Sequence, residues 1–143
     1  MLGYSTLGTN DLQAATAFYD ELFALFGAGR VLEQPGRAVY YGAGKLEFGV
    51  LKPFNGQTAT VGNGAMVALQ APSRAKVREA FDLVLQRGGA DEGAPGIRGE
   101  DPNGFYGAYM RDLDGNKLCI FRFGPDTPTR DTPTPNPETE DNR

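Results

Sequence analysis

The segment YMRDLDGNKL, residues 109–118, carries the strongest structural signal in the sequence. Aromatic and aliphatic residues on both sides of it predict two strands, 105–111 and 117–123. Between them, Asp114-Gly115-Asn116 has the composition of a tight turn, because glycine and asparagine tolerate the left-handed backbone that hairpin turns need. The segment therefore predicts a strand, a turn and a strand.

Upstream of this hairpin, the pattern adds one strand and one helix. Residues 65–71 are apolar and predict a strand, and Pro72-Ser73 supplies a helix start. Gly88-Gly89 ends the helix, and the Gly- and Pro-rich stretch 93–96 predicts a loop. The helix is indicated by apolar residues at a spacing of three and four, namely Val77, Ala80, Phe81, Val84 and Leu85.

The first half of the chain repeats this order. Residues 2–9 predict a strand, Asn10-Asp11 predicts a helix N-terminus, and Gly27 and Gly29 end that helix. The helix stripe consists of Ala15, Phe18, Tyr19, Leu22, Phe23 and Phe26. Three short strand candidates follow, at 30–34, 37–41 and 45–51.

The two halves can be aligned as two copies of one strand-helix-strand-strand-strand module. Tyr4 then corresponds to Met66, and Lys45-Leu46-Glu47 corresponds to Lys117-Leu118-Cys119. We expect a single domain over residues 1–123, built from module 1–54 and module 63–123, with residues 55–62 as the linker.

Residues 124–143 differ from the domain in composition. They contain five of the ten prolines and carry −3 of the net charge of −4, mixed with threonine. Such segments bury too little apolar surface to offset the entropy of folding. We expect a disordered, acidic, Pro/Thr-rich tail, and we assign it no chemistry.

Charge and composition exclude several classes of function. No basic run is present, so no nucleic-acid partner is expected, and no apolar window reaches the roughly 18 residues of a membrane span. No signal peptide is visible, and a single cysteine cannot form an internal disulfide, so we expect a cytoplasmic protein. The sequence has no histidine, the commonest general base and a common metal ligand.

Several segments resemble the vicinal-oxygen-chelate superfamily, the glyoxalase and bleomycin-resistance fold. LGTNDLQAATAFYDEL, residues 7–22, is similar to that family's opening strand and first helix. GGADEGAPGIR, residues 88–98, and FYGAYMRDLDGNKLCIF, residues 105–121, resemble the closing segment of a glyoxalase-like subgroup. The resemblance spans residues 1–123. It implies an α+β fold in which two βαβββ modules form a curved mixed sheet of half-barrel type with helices outside, and it implies a homodimer.

In that family a metal lies between the sheets, bound by one residue from the first and one from the last strand of each module. The resemblance places Tyr4, Glu47, Met66 and Cys119 at these positions, where His, Gln and Glu are usual. Only Glu47 is a good ligand for Mg, Mn, Fe or Ni, because these ions prefer carboxylate, imidazole and water. We therefore expect no metal and no other cofactor, and a divalent metal at Glu47 is the disfavoured alternative.

The expected ligand site is a cup lined by Tyr4, Glu47, Met66, Tyr106 and Cys119. Tyr106 would face the cup and Tyr109 the opposite side, because their separation is odd. Glu47 would be the one charge in the cup and would favour a cationic or hydrogen-donating ligand.

These residues also have purely structural interpretations. Glu47 could be an exposed strand residue, and Met66 and Cys119 could simply pack in the core. Arg98 lies in the Gly/Pro-rich loop, where its guanidinium could bind a carboxylate or phosphate of the ligand. A solvated surface arginine is the alternative.

Three functions fit this sequence. The first is the binding of a small organic molecule in the cup, which the aromatic content and the lack of conventional catalytic residues favour. The second is a metal-dependent lyase or isomerase of the glyoxalase type, while the absence of histidine argues against a two-His-one-carboxylate dioxygenase. The third is a structural or interaction module whose cup is filled by side chains.

Overall fold

A computed structural model describes residues 1–127, and most of the predicted tail lies outside the described residues. These residues form two helices and eight strands in the order predicted for two βαβββ modules. The first module contains β1 (Ser5–Gly8), α1 (Leu12–Ala24), β2 (Gly29–Gln34), β3 (Ala38–Gly42) and β4 (Phe48–Leu51). The second contains β5 (Val67–Gln70), α2 (Arg74–Gln86), β6 (Ala90–Arg98), β7 (Phe105–Arg111) and β8 (Lys117–Phe123).

Each module forms its own four-stranded mixed sheet. The strand orders are β1-β4-β3-β2 and β5-β8-β7-β6, so the first strand of each module lies at a sheet edge. β1 runs parallel to β4, and β5 runs parallel to β8, whereas the other pairs are antiparallel. The predicted α+β class and module order are confirmed. The two sheets do not close into a barrel in the described part of the chain.

Both helices begin at a side-chain cap and bury one face. The Asp11 carboxylate accepts the Ala14 N–H at 3.0 Å, and the Ser73 hydroxyl accepts the Lys76 N–H at 3.1 Å. Most of the predicted stripe residues are buried, but Leu85 is 37% exposed, because it lies at the edge of the stripe near the end of α2. The buried helix residues are Ala15, Phe18, Tyr19, Leu22, Phe23, Val77, Ala80, Phe81 and Val84.

One predicted loop is a strand. Residues 93–96 belong to β6, which pairs with β7 along its length. The register shifts between Asp91 and Gly93 and again between Gly93 and Gly96, so β6 accommodates its turn-like residues as bulges. Pro95 falls in the second shift, where no ladder hydrogen bond is required of it.

The turn between β7 and β8 joins the two modules. Asp112 accepts a hydrogen bond from the Tyr19 hydroxyl of α1 at 2.5 Å, and Asn116 Nδ2 donates to the Gly8 carbonyl at 3.0 Å. The carboxylate of Asp114 accepts the Asn10 N–H at 2.8 Å. The residues that predicted the hairpin thus also fix the position of one module on the other. Among residues 1–127, no helix is long and apolar enough to cross a membrane.

Candidate functional site

Each sheet has one face against a helix and one face that no helix of the described chain covers, and we call the latter the open face. In the first sheet Tyr41, Phe48 and Val50 belong to the core. Because side chains alternate along a strand, Thr6 and Tyr40 lie on the open face. Both are cross-strand partners of Gly49, Thr6 from β1 and Tyr40 from β3. The Tyr4 ring meets the Tyr40 ring edge-on, with centroids 5.9 Å apart, and Tyr4 remains 51% exposed.

The open face of the second sheet is richer in aromatic side chains. Register places Tyr109 opposite Cys119, and Cys119 opposite Ala68. On the same face, the Phe105 and Phe121 rings stack with centroids 5.1 Å apart and an interplanar angle of 11°. The buried residues of β7 and β8 on the other face, against α2, are Tyr106, Ala108, Met110, Leu118 and Ile120.

The structure corrects the orientation predicted for Tyr106. Its ring is buried beneath the guanidinium groups of Arg74 and Arg78, at 5.0 and 5.8 Å, and its hydroxyl accepts from Arg78 at 3.2 Å. Tyr109 shares the open face with Cys119 instead. The two tyrosines do face opposite sides of the sheet, as their odd separation predicted, but Tyr106 faces the core and Tyr109 the open face. The sequence did contain a signal for the direction of Cys119: Leu118 and Ile120, on either side of it, mark the core face of β8, so Cys119 lies on the other face.

The strand register also corrects the alignment of the two modules. Ser5 pairs with Phe48, and its counterpart Val67 pairs with Leu118. The residue preceding Leu118, Lys117, therefore corresponds in register to Glu47, whereas the alignment by sequence had matched Cys119. The error was two residues, because the alignment matched the Lys-Leu dipeptides at 45–46 and 117–118, whose places in the strand register differ by two residues.

Cys119 and Arg98 lie together around Tyr109. The Cys119 thiol is buried, and burial raises its pKa, although a hydrogen bond with Tyr109 and the charges of Arg98 and Lys117 act in the opposite direction. The Arg98 guanidinium lies over the Tyr109 ring, 5.5 Å from its centroid, and donates to the Ala94 carbonyl at 2.7 Å. A thiol with a raised pKa is a weak nucleophile and a weak metal ligand.

Glu47 and Met66 line a groove between the modules, with a volume of about 660 Å³. Its walls come from β1, β3, β4 and the end of α1 on one side and from β5 on the other. The Glu47 carboxylate is exposed and accepts the Ala43 N–H at 2.9 Å. Met66 is 45% exposed. The residues predicted to line one cup are therefore separated: Tyr4 and Cys119 lie on the two open faces, Glu47 and Met66 line this groove, and Tyr106 lies in the core.

The four side chains that the sequence alignment assigned to the metal-ligand positions do not fit a divalent metal, and the register shows that Glu47 and Cys119 are not equivalent positions of the two modules. Tyr4 contacts an aromatic ring, Met66 offers a thioether, and burial raises the pKa of the Cys119 thiol, which disfavours the thiolate that binds metals. Only Glu47 offers a carboxylate, and one of its oxygens already accepts a backbone hydrogen bond. Within residues 1–127, no three residues of the types His, Cys, Asp and Glu are grouped as a metal site would need.

Sequence comparison decides the family. The profile described as "Glyoxalase/Bleomycin resistance protein/Dioxygenase superfamily" matches residues 2–120, most of the chain. The chain belongs to this superfamily. No curated protein sequence matches the chain.

Solved structures of other superfamily members share the fold. A glyoxalase/bleomycin resistance protein from Albidiferax ferrireducens T118 is 35% identical with a TM-score of 0.74, over 85% of this chain and 98% of that one. A lactoylglutathione lyase from Agrobacterium tumefaciens is 26% identical with a TM-score of 0.59, over 85% and 92% of the two chains. A fosfomycin resistance protein from Listeria monocytogenes is 20% identical with a TM-score of 0.60, over 85% and 92%, and shows the fold alone.

Proposed function

We propose that this chain binds a small organic molecule on the open faces of its sheets, as a superfamily member whose metal site has been lost. The observation that carries the proposal is the partly exposed aromatic side chains on both open faces: Tyr4, Tyr40, Phe105, Tyr109 and Phe121. Binding sites for small molecules are concave, mostly apolar and supplied with a few polar groups. The groove between the modules offers a second concave surface, beside β1 and β5.

We further propose that two copies of the chain pair through their open faces to complete the cup. Leu32, the cross-strand partner of Tyr40, is 49% exposed, and Phe123 is 65% exposed. Apolar side chains exposed on the open faces favour association, because burying them removes apolar area from water. Sedimentation equilibrium should give twice the chain mass, and a monomer at micromolar concentration would contradict the pairing.

The binding proposal can be tested by NMR. A set of neutral aromatic fragments should shift backbone amide signals of β7 and β8 on titration. Tyr109→Ala should raise the dissociation constant about three- to tenfold, the factor that one lost aromatic contact corresponds to. Phe54→Ala is the matched control, because Phe54 is an exposed aromatic residue outside both sheets, and it should leave the dissociation constant unchanged.

Two results would contradict this function. Fragments that shift only signals outside the open faces and the groove would place the binding surface elsewhere. A set that shifts no signals at all would favour the structural or interaction module.

The metal-dependent lyase or isomerase is the second candidate, and Glu47 carries it. Titration calorimetry with Zn, Ni, Mn and Fe should show no one-to-one site, because the donor set offers one exposed carboxylate and no imidazole. A micromolar or tighter site that is lost in Glu47→Ala would establish the lyase or isomerase as the better proposal.

A further inference from the structure

The open face of the second sheet carries two positive charges around one aromatic ring. The Arg98 guanidinium lies 5.5 Å and the Lys117 ammonium 5.6 Å from the centroid of Tyr109. Arg98 reaches the ring from the edge strand β6, and Lys117 reaches it from β8, two residues from Cys119 on the same face. We call Arg98, Tyr109 and Lys117 the cationic cluster.

Neither cation of the cluster is neutralised by an ion pair within residues 1–127. The ion pairs that the described chain forms use Arg30, Lys76, Arg87 and Arg111. Glu92, a neighbouring acid on β6, is bound by Arg111, with Nε and Oε1 2.9 Å apart. Two partly buried charges of the same sign thus lie against one aromatic ring, and neither forms an ion pair within residues 1–127. The Lys117 charge helps to lower the pKa of Glu92, but that carboxylate is paired with Arg111, so a bound anion would supply a direct partner for the cluster.

The backbone holds the Arg98 guanidinium in place. A Cβ at Gly93 would lie 3.3 Å from Nη2, and a Cβ at Gly96 would lie 3.0 Å from Nη1, so the guanidinium rests on backbone that has no side chains. These glycines belong to the bulged part of β6, and the Ala94 carbonyl accepts one N–H of the group. The hydrogen bond to Ala94 leaves N–H groups of this positioned fork available to a planar anion.

An aromatic surface adjoins the cationic cluster. Gly96 on β6 pairs with Gly107 on β7, and Gly107 pairs with Phe121 on β8. The two glycines have no side chains, so the surface between Arg98 and Phe121 is low. The Phe105 ring covers Gly107, where a Cβ would lie 2.6 Å from the ring, and stacks on Phe121. A ligand could therefore place a charged end at Arg98 and a flat apolar body on the two phenylalanine rings.

We propose that the cationic cluster binds the anionic group, a carboxylate or a phosphate, of a small ligand whose planar apolar body packs on Phe105 and Phe121. This inference rests on the proposed function and names its ligand class. The sequence had predicted that Glu47 would favour a cationic ligand, and this inference predicts an anionic one. In the second module the strand position that corresponds to Glu47 carries Lys117.

Three probes with one aromatic body test the charge preference: 2-naphthoate, 2-naphthyl phosphate and the neutral 2-naphthamide. Titrations of the full chain, followed by backbone amide NMR, should give both anions a dissociation constant at least about tenfold lower than that of the amide. Signals from β6, β7 and β8 should shift. The anion that binds more tightly shows whether the cluster prefers a carboxylate or a phosphate.

Substitutions assign the effect to the cluster. Arg98→Gln should raise the dissociation constant of the tighter anion about tenfold, and Lys117→Gln should raise it less, while the constant for 2-naphthamide changes little. Arg37→Gln is the matched control, because Arg37 also lies over an aromatic ring, that of Phe54, on the first module. It removes the same charge and should leave all three constants unchanged.

The possible failures are distinguishable. If 2-naphthamide binds the open faces as tightly as both anions, or if Arg98→Gln and Arg37→Gln have equal effects, the anion proposal is wrong and the binding function stands. If no probe shifts any signal of the open faces, both proposals fall. Should Arg98→Gln not fold, Lys117→Gln and the charge-retaining Arg98→Lys provide the same comparison.

Discussion

Asp112 is one of the residues that join the two modules, and the most extensively hydrogen-bonded of them. Its carboxylate is 5% exposed and accepts the Tyr19 hydroxyl, the N–H groups of Asp114 and Asn116, and Asn116 Nδ2. A buried carboxylate is tolerated only when donors of this kind replace its hydration. Burial and the Asp112 charge raise the pKa of the Tyr19 phenol well above its ordinary value, so that Tyr19 remains a donor.

Tyr19→Phe should therefore lower the free energy of unfolding by about 1–3 kcal/mol, because it leaves a buried acceptor with one donor fewer. Urea denaturation followed by circular dichroism measures this loss. Tyr40→Phe is the control, because Tyr40 lies on the open face and its hydroxyl has no hydrogen-bond partner within the described residues. Equal losses in the two variants would mean that the contact between Tyr19 and Asp112 contributes nothing specific.

At the residue scale, the sequence predicted the types of side chain in the site better than their directions. Alternation fixes only that Tyr106 and Tyr109 face opposite sides, and the choice between them depends on which side α2 covers. Glu47 and Cys119 fall at matching places by sequence, yet the strand register matches Glu47 with Lys117. Register is set by pairing between strands that are distant in sequence, so one chain's local pattern does not determine it.

At the scale of elements, the helices were predicted closely because caps and apolar spacing are local signals. α2 starts after Ser73 and presents Val77, Ala80, Phe81 and Val84 to the second sheet, as expected. β6 was missed because glycine and proline normally interrupt strands, and only its pairing with β7 shows that bulges absorb them.

Phe81→Ala should destabilise the protein by about 3–5 kcal/mol, since the ring is buried between α2 and the second sheet. Leu85→Ala, on the same helix but at an exposed position, should cost less than about 1 kcal/mol. The difference between the two unfolding free energies measures mainly burial, because Phe and Leu differ in helix propensity by less than about 0.7 kcal/mol. A difference below about 1 kcal/mol would show that the helix does not bury this face.

At the scale of the whole molecule, hydrogen bonds connect the residue after β8 to the start of α2. Arg74 is buried and donates from Nη2 to the carbonyls of Pro102 and Gly124, at 2.7 and 2.8 Å. Its guanidinium also covers the Tyr106 ring. The chain is therefore held as far as Gly124, one residue beyond the predicted end of the domain.

Two truncations test where the folded body ends. A chain that ends at Thr127 keeps the Gly124 carbonyl and should melt at the temperature of the full chain, because the acidic, proline-rich segment removed has no apolar stripe to bury. A chain that ends at Phe123 loses this acceptor and should melt several degrees lower. Equal melting temperatures for the two truncations would show that the Arg74 contact is unimportant, and a lower value for the Thr127 truncation would show that the tail docks.

The hydrogen bond from Asn116 to Gly8 also bears on how the protein is made. These residues lie 108 positions apart, so at synthesis rates of 5–20 residues per second the ribosome needs roughly 5 to 20 s to deliver the second after the first. During that interval the first module lacks the hydrogen bonds that the last hairpin makes to Gly8, Asn10 and Tyr19. Nascent chains would therefore be most exposed to aggregation, and most in need of a chaperone, just before the last hairpin emerges.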